Sequence, residues 1–255
     1  MNKNIYDKFQ VNGRFQAPGV DLVGEDLSDL NEVPKSGFER NLICANLVGS
    51  NLTGADFSNS TMKYADLTGA NLTGANLRGA DLLGANLTGA NLTAVCLYST
   101  KMDRVTLRGA QLSGIDFDQV DLGGANLDHI NLSNGNLAGV QLYGASIENA
   151  NLAYTNLMFS DLSHASLAWA NLRGALLLDA NLMSANLTAA DLRGADLRGS
   201  ILICADLTGA NLTDANLGGA FLVGASLAGT NLKNANLTGA SMSGASLQEL
   251  SESIV

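Results

Sequence analysis

The sequence predicts an all-β solenoid whose chain turns a corner every five residues. Three observations carry this. Every fifth residue from Leu42 to Leu247 is apolar: of 42 positions 36 are Leu, the rest Phe57, Phe117, Met62, Met102, Met242 and Ile147. Two residues before each centre stands Ala in 27 of the 42 pentads, and just before it Asn in 19 and Asp in 9. Gly recurs two residues after the centre, as in Ala70-Asn71-Leu72-Thr73-Gly74. An α-helix would spread an i, i+5 series around all its sides, and a flat strand would send alternate centres to opposite faces. Only a chain that bends after each pentad turns every centre toward one shared axis, and Gly, Asn, Asp and Ser supply the turn chemistry.

Composition agrees with such a one-dimensional core. The chain has 255 residues, is 46% hydrophobic, and has only 5% aromatic and 15% charged residues. Mean hydropathy is slightly positive, yet no apolar run of ~18 residues is present, so neither a spanning helix nor a membrane role is expected. Nothing after Met1 has the apolar stretch of a signal peptide. Fourteen Lys and Arg against 24 Asp and Glu give a net charge of −10, which argues against nucleic acid as a partner.

The A-(D/N)-L-x-x tandem resembles the pentapeptide repeat family over residues 41–248. The resemblance implies a right-handed quadrilateral parallel β-helix with four pentads per coil, hence about ten coils here, each resting on its neighbours. Core positions would include Leu72, Leu87, Leu132, Leu152, Leu182 and Leu202. Some family members are DNA mimics that bind DNA gyrase.

Four segments follow from the pattern: an N-terminal cap (1–19), an irregular first coil with a loop (20–40), the repeat (41–248) and a tail (249–255). Ile5 and Phe9 lie four apart and Gly13 would end a short helix, so a helical cap is the first reading. A hairpin through Asn12-Gly13 is the alternative. Leu22 and Leu27 keep the five-residue frame, whereas Glu32 and Gly37 interrupt it. Residues 30–40 therefore read as a loop replacing two faces of the first coil. Leu250 and Ile254 would cap the far end. Between residues 95 and 140, Val95, Val105, Ile115, Val120, Ile130 and Val140 replace Ala. Added methyls must fit a close-packed column, and ordinary drift is the preferred explanation.

Chemistry is sparse. Cys44, Cys96 and Cys204 are too far apart to pair if stacked by twenties, which suits a reducing compartment. Asn-Leu-Thr at Asn51, Asn71, Asn86, Asn91, Asn186, Asn211 and Asn236 would attract glycans in a eukaryotic secretory route. A bacterial cytoplasm is therefore expected. His129 and His164 fall on adjacent corners, no Cys, His and Asp share metal-ligand spacing, and no Ser has a specified base. No catalytic, metal or cofactor site is expected, and the chain is read as a non-enzyme.

Sorting residues by number modulo twenty unrolls the surface. Most outward positions are Asn, Thr, Ser or Asp, as polar ladders require. One face departs from this: Met183, Ile201, Ile203, Phe221 and Val223 flank the centres Leu182, Leu202 and Leu222. Such a patch marks an interface with a partner protein or a second copy. Tyr154, Phe159, His164 and Trp169 occupy four successive corners and are read as corner packing. Asp116, Asp118, Asp121 and Asp128 gather mid-chain, and Arg173 and Arg193 stack with Arg198 nearby. The expected function is a non-catalytic interaction rod with an unknown partner; a DNA mimic acting on gyrase is the alternative.

Overall fold

The computed structural model describes residues 10–11, 14–15, 18–27, 40–112, 115, 117 and 119–246. Among these, most pentads set one residue against the residue twenty further on in a parallel bridge, for example Asn46↔Asp66↔Asn86 and Asn181↔Ile201↔Phe221. Four pentads thus complete one coil. Three backbone bonds join successive coils on each side, as in Leu47 N–H to the Asp66 carbonyl (2.7 Å), Gly49 to Thr68 (2.9 Å) and Asp66 to Ala45 (2.9 Å).

The corner explains the residue code. The residue three after each centre donates back to the centre's carbonyl, as Ala75 to Leu72 at 2.8 Å. The residue two after the centre has a left-handed backbone, 67° at Gly74 and 56° at Tyr64. A four-residue turn with positive φ at its third position is a type II turn, which favours Gly there. Twenty described non-glycine residues accept the same conformation.

The Asn/Asp position works in two directions. Its Oδ1 accepts the N–H two residues on, as Asn76 does from Arg78 (3.1 Å), and its amide reaches the equivalent residue of the coil before, Asn76 Nδ2 to Asp56 Oδ1 at 3.0 Å. Asn171, Asn151 and Asn131 form a two-step amide ladder at 3.1 Å per step. At Ser50, Thr155 and Ser200, which replace the inward Ala, the hydroxyl donates to the Leu47, Leu152 and Leu197 carbonyl, each at 2.7 Å, whereas the buried Ser60 hydroxyl has no partner. At those three positions the polar group inside the apolar column is satisfied.

The chain forms two compact units, Met1–Asn126 and Leu127–Val255. In the first, Leu72 and Leu87 are fully buried, as are Phe57 and Met62. In the second, Leu132, Leu152, Leu182 and Leu202 are buried. The division lies inside the 95–140 stretch. Val95, Val105, Ile115, Val120, Ile130 and Val140 are nonetheless all buried, so the core admits the larger side chains.

Two expectations change at the N-terminus. β1 (Gln10–Val11) pairs antiparallel with β2 (Arg14–Phe15), with Val11 opposite Arg14. This strand pair is what the alternative, hairpin reading expects; Ile5, Phe9, Asn12 and Gly13 lie outside the described residues. In the first coil, Asp21 pairs with Asn46 and Asp26 with Asn51, twenty-five residues on, while Asn41 already pairs with Thr61. One face, not two, intervenes between Asp26 and Asn41, and the segment carries one pentad more than a regular coil. Most of loop 30–40, and the tail 249–255, lie outside the described residues.

Candidate interaction surface

Each side of a coil presents two outward side chains, one before and one after its buried centre. In the second unit, the face of Leu182, Leu202 and Leu222 begins with an ordinary polar ladder. Asn181 accepts from Met183 N–H (3.2 Å) and donates to Asp161 (3.0 Å). At the next coil the position is Ile201, then Phe221, neither of which can continue the ladder, and it returns to Ser241 only afterwards. Met183, Ile203 and Val223 fill the parallel column. Phe221 is 47% exposed, Met183 38% and Val223 37%; Ile201 and Ile203 are half-buried. The five residues singled out from sequence are brought together on the solvent side.

The patch is larger than those five. On the preceding face, Leu176 stands where Asn156 and Asp196 stand one coil to either side. It is 41% exposed, and Leu178 beside it is half-buried. With half-buried Met158 and the exposed corner residue Phe159, the apolar band runs diagonally across one corner. The signal was in the sequence: Ala175-Leu176-Leu177-Leu178-Asp179 places Leu on both sides of a Leu centre.

The ladder N–H groups under the band are already used. Leu182 N–H donates to Ile201, Leu202 to Phe221, Ile201 to Ala180 and Phe221 to Ser200, at 2.7–2.9 Å. No strand can add to this ladder; the N–H groups of Leu178, Ile203 and Val223, capped elsewhere by the Asn or Asp two residues before, as Met183 is by Asn181, have no acceptor among the described residues.

Charges around the band are predominantly acidic. Asp161 precedes it in the Ile201 column, Asp179 occupies the corner between Leu178 and Asn181, and Asp206 lies past the Cys204 corner. The arginines expected to form a basic stack are largely neutralised. Arg193 grips Asp191 with Nε at 2.8 Å and Nη2 at 2.5 Å, and Arg198 grips Asp196 with Nε at 2.8 Å and Nη2 at 2.7 Å. These hydrogen bonds hold both carboxyls below their ordinary range, Arg173 adding to the effect at Asp191.

Other sequence candidates resolve differently. Tyr154 lays its ring against the corner of the next coil, where a Cβ on Gly174 would come within 2.6 Å of it. His164 makes an edge contact with Tyr143, ring centres 5.7 Å apart. Trp169 and Phe159 are 66% and 60% exposed. Of the mid-chain acids, Asp128 accepts from Ser146 (2.6 Å) and Glu148 N–H (2.9 Å), and Asp121 from Gly123 (2.9 Å); Asp116 and Asp118 lie outside the described residues. In the first unit, Asp103 is pushed up by burial and then by the Asp121 charge. The three cysteines are free and exposed. Among the described residues no group of three or more His, Cys, Asp or Glu is placed to hold a metal, and no helix is long and apolar enough to cross a membrane.

Four bridges per twenty-residue coil, a Leu column and type II corners define a quadrilateral parallel β-helix. The family model of pentapeptide repeats matches in eight copies, over residues 41–79, 70–109, 110–149, 141–177, 180–219 and 210–249. The chain belongs to the pentapeptide repeat family, whose members fold as right-handed quadrilateral β-helices. Among solved structures it is similar to HetL, a pentapeptide repeat protein involved in heterocyst differentiation regulation in the cyanobacterium Nostoc sp. strain PCC 7120. Identity is 30%, covering 96% of this chain and 92% of HetL, with a TM-score of 0.28. A pentapeptide repeat protein of the Arabidopsis thaliana thylakoid lumen is 34% identical over 43% of this chain and 63% of its own, TM-score 0.33. Full-length QnrB1, a plasmid-mediated fluoroquinolone resistance protein, is 20% identical over 90% and 93%, TM-score 0.25. No curated protein matches the chain.

Proposed function

We propose that this protein is a non-catalytic interaction scaffold of a bacterial cytoplasm that engages a protein partner through the apolar band around Ile203 and Phe221. The supporting observation is local: the repeat puts Asn, Asp, Thr or Ser on its solvent side, and here puts Ile, Phe, Met, Val and Leu on consecutive coils. Exposed contiguous apolar surface of this kind is rare on proteins that stay alone. Three free, exposed thiols suit a reducing compartment. The test is affinity capture from the native host with wild type and Ile203→Asp/Phe221→Asp. A partner held by wild type and lost by the variant, at unchanged melting temperature, is the expected result. Identical capture by both overturns the reading.

A second reading, a DNA mimic acting on gyrase, draws on one observation. Arg193 and Arg198 are each tied to an aspartate, so they interrupt the acidic surface less than their number suggests. Supercoiling by purified gyrase with micromolar protein tests it; an unchanged rate removes it.

A further inference from the structure

The apolar band has a charge character that narrows its occupant. Three groups compete for it: a second copy of this chain, the chain's own C-terminal residues, and a separate partner. Asp161, Asp179 and Asp206 border the band, and among the described residues none of them is in an ion pair. The nearest cation, Arg198, is held by Asp196. A second copy packed face to face would bring the same acids against themselves, with −10 on each chain. Like charges desolvated together at an interface oppose association. Residues 247–255 carry Glu249 and Glu252 between their apolar residues, so the tail would meet the same opposition.

An occupant with positive charge beside an apolar stripe meets none. The ladder N–H groups of Ile201, Leu202 and Phe221 are taken, so no strand can pair along the band, whereas a helix satisfies its own backbone and brings side chains alone. A helix ~10 Å across with its apolar residues at i, i+3, i+4 and i+7 presents a stripe that a diagonal band from Leu176 to Val223 can receive. We infer that the band docks a basic amphipathic helix of a partner protein, Leu176, Leu178, Ile203 and Phe221 taking its apolar stripe and Asp179 and Asp206 its flanking Lys or Arg. This rests on the interface reading above and specifies its partner class.

Labelled model helices of ~18 residues test it: one of Leu and Lys, with Leu/Gln and Leu/Glu versions at the same spacing, titrated by fluorescence anisotropy against the full chain. The Leu/Lys helix is expected to bind at least about tenfold more tightly than Leu/Gln, a factor worth about 1.4 kcal/mol, and Leu/Glu most weakly. Ile203→Ser/Phe221→Ser should lower Leu/Lys affinity about tenfold or more, and Asp179→Asn/Asp206→Asn should erase the preference for Leu/Lys over Leu/Gln. Equal binding of Leu/Lys and Leu/Gln, both lost in the Ile203→Ser/Phe221→Ser protein, overturns the basic partner while leaving the interface standing. Binding indifferent to that double change, or no binding at all, overturns both. A doubled mass abolished by Phe221→Ser assigns the face to a second copy, and tighter binding after removal of residues 247–255 assigns it to the tail; either overturns the inference.

Discussion

At the residue scale, one atom's placement often decides between two side chains that the repeat treats as equal. Gly74 and Gly84 both occupy left-handed corners, at φ 67° and 64°. A Cβ on Gly74 would meet nothing within 4 Å, whereas one on Gly84 would lie 2.7 Å from the Tyr64 ring. Gly74→Ala therefore carries only the cost of a left-handed alanine, about 1–2 kcal/mol. Gly84→Ala adds displacement of Tyr64 and should lower stability further in urea melts; equal losses would show that the ring moves freely. Asp103 supplies a pH effect. Its folded carboxyl titrates above the unfolded value of 3.8, so the folded state binds its proton more tightly. Stability then falls as pH rises above 3.8 through the folded value. Asp103→Asn should raise the melting temperature at pH 7 and leave it unchanged at pH 3. Asp191 and Asp196 behave oppositely, because their arginine partners lower them: their stabilisation is present above 3.8 and lost as pH falls below it.

At the scale of the pentad, what was legible and what was not separate by range. Centre, inward Ala and corner Gly are fixed by neighbours within three residues, so the sequence period alone identifies Leu182, Leu202 and the outward positions of Ile201 and Phe221. Pairing between coils depends on residues twenty apart. Since every pentad is alike, the period cannot tell a twenty-residue coil from a twenty-five-residue one, and the Asp21↔Asn46 register was misjudged by one face. The Arg193–Asp191 and Arg198–Asp196 grips are not legible in stacked columns, which relate neighbours twenty apart, because these partners are two apart. Leu176 and Leu178 lie one face earlier than Leu182, Leu202 and Leu222, so the column that defines the patch in sequence does not contain them. The pentad also sets a stability contrast. Leu202 is fully buried and Leu176 is 41% exposed. Leu202→Ala should cost about 2–5 kcal/mol by opening a cavity in a column that cannot collapse, and Leu176→Ala within about 0.5 kcal/mol. Urea denaturation of the two variants measures both, and similar losses would mean that Leu176 is part of the packed structure and not free surface.

At the scale of the molecule, interchangeable pentads give a way to move the patch without changing its residues. Removing residues 211–215 joins Ala210 to Asn216 and leaves every later centre in the five-residue frame, so the Leu column stays filled. Every later residue, however, moves back by one face. Phe221 and Val223 then fall in the column that follows Asp196 and Arg198, and Ser226 takes their place over Ile201. The chain already tolerates a change of this size, since the coil between Asp21 and Asn46 differs from its neighbours by one pentad. Stability in such a solenoid is close to a sum over adjacent coils, so the deletion should keep the β-rich circular dichroism spectrum and lower the melting temperature only modestly. Partner capture and Leu/Lys helix binding should fall about as far as in the Ile203→Ser/Phe221→Ser protein, about tenfold or more. The deleted form exposes the same apolar side chains with the same net acidity, apart from the removed Asp214. General stickiness or bulk charge would therefore leave binding intact, and only a surface assembled by register across coils would lose it.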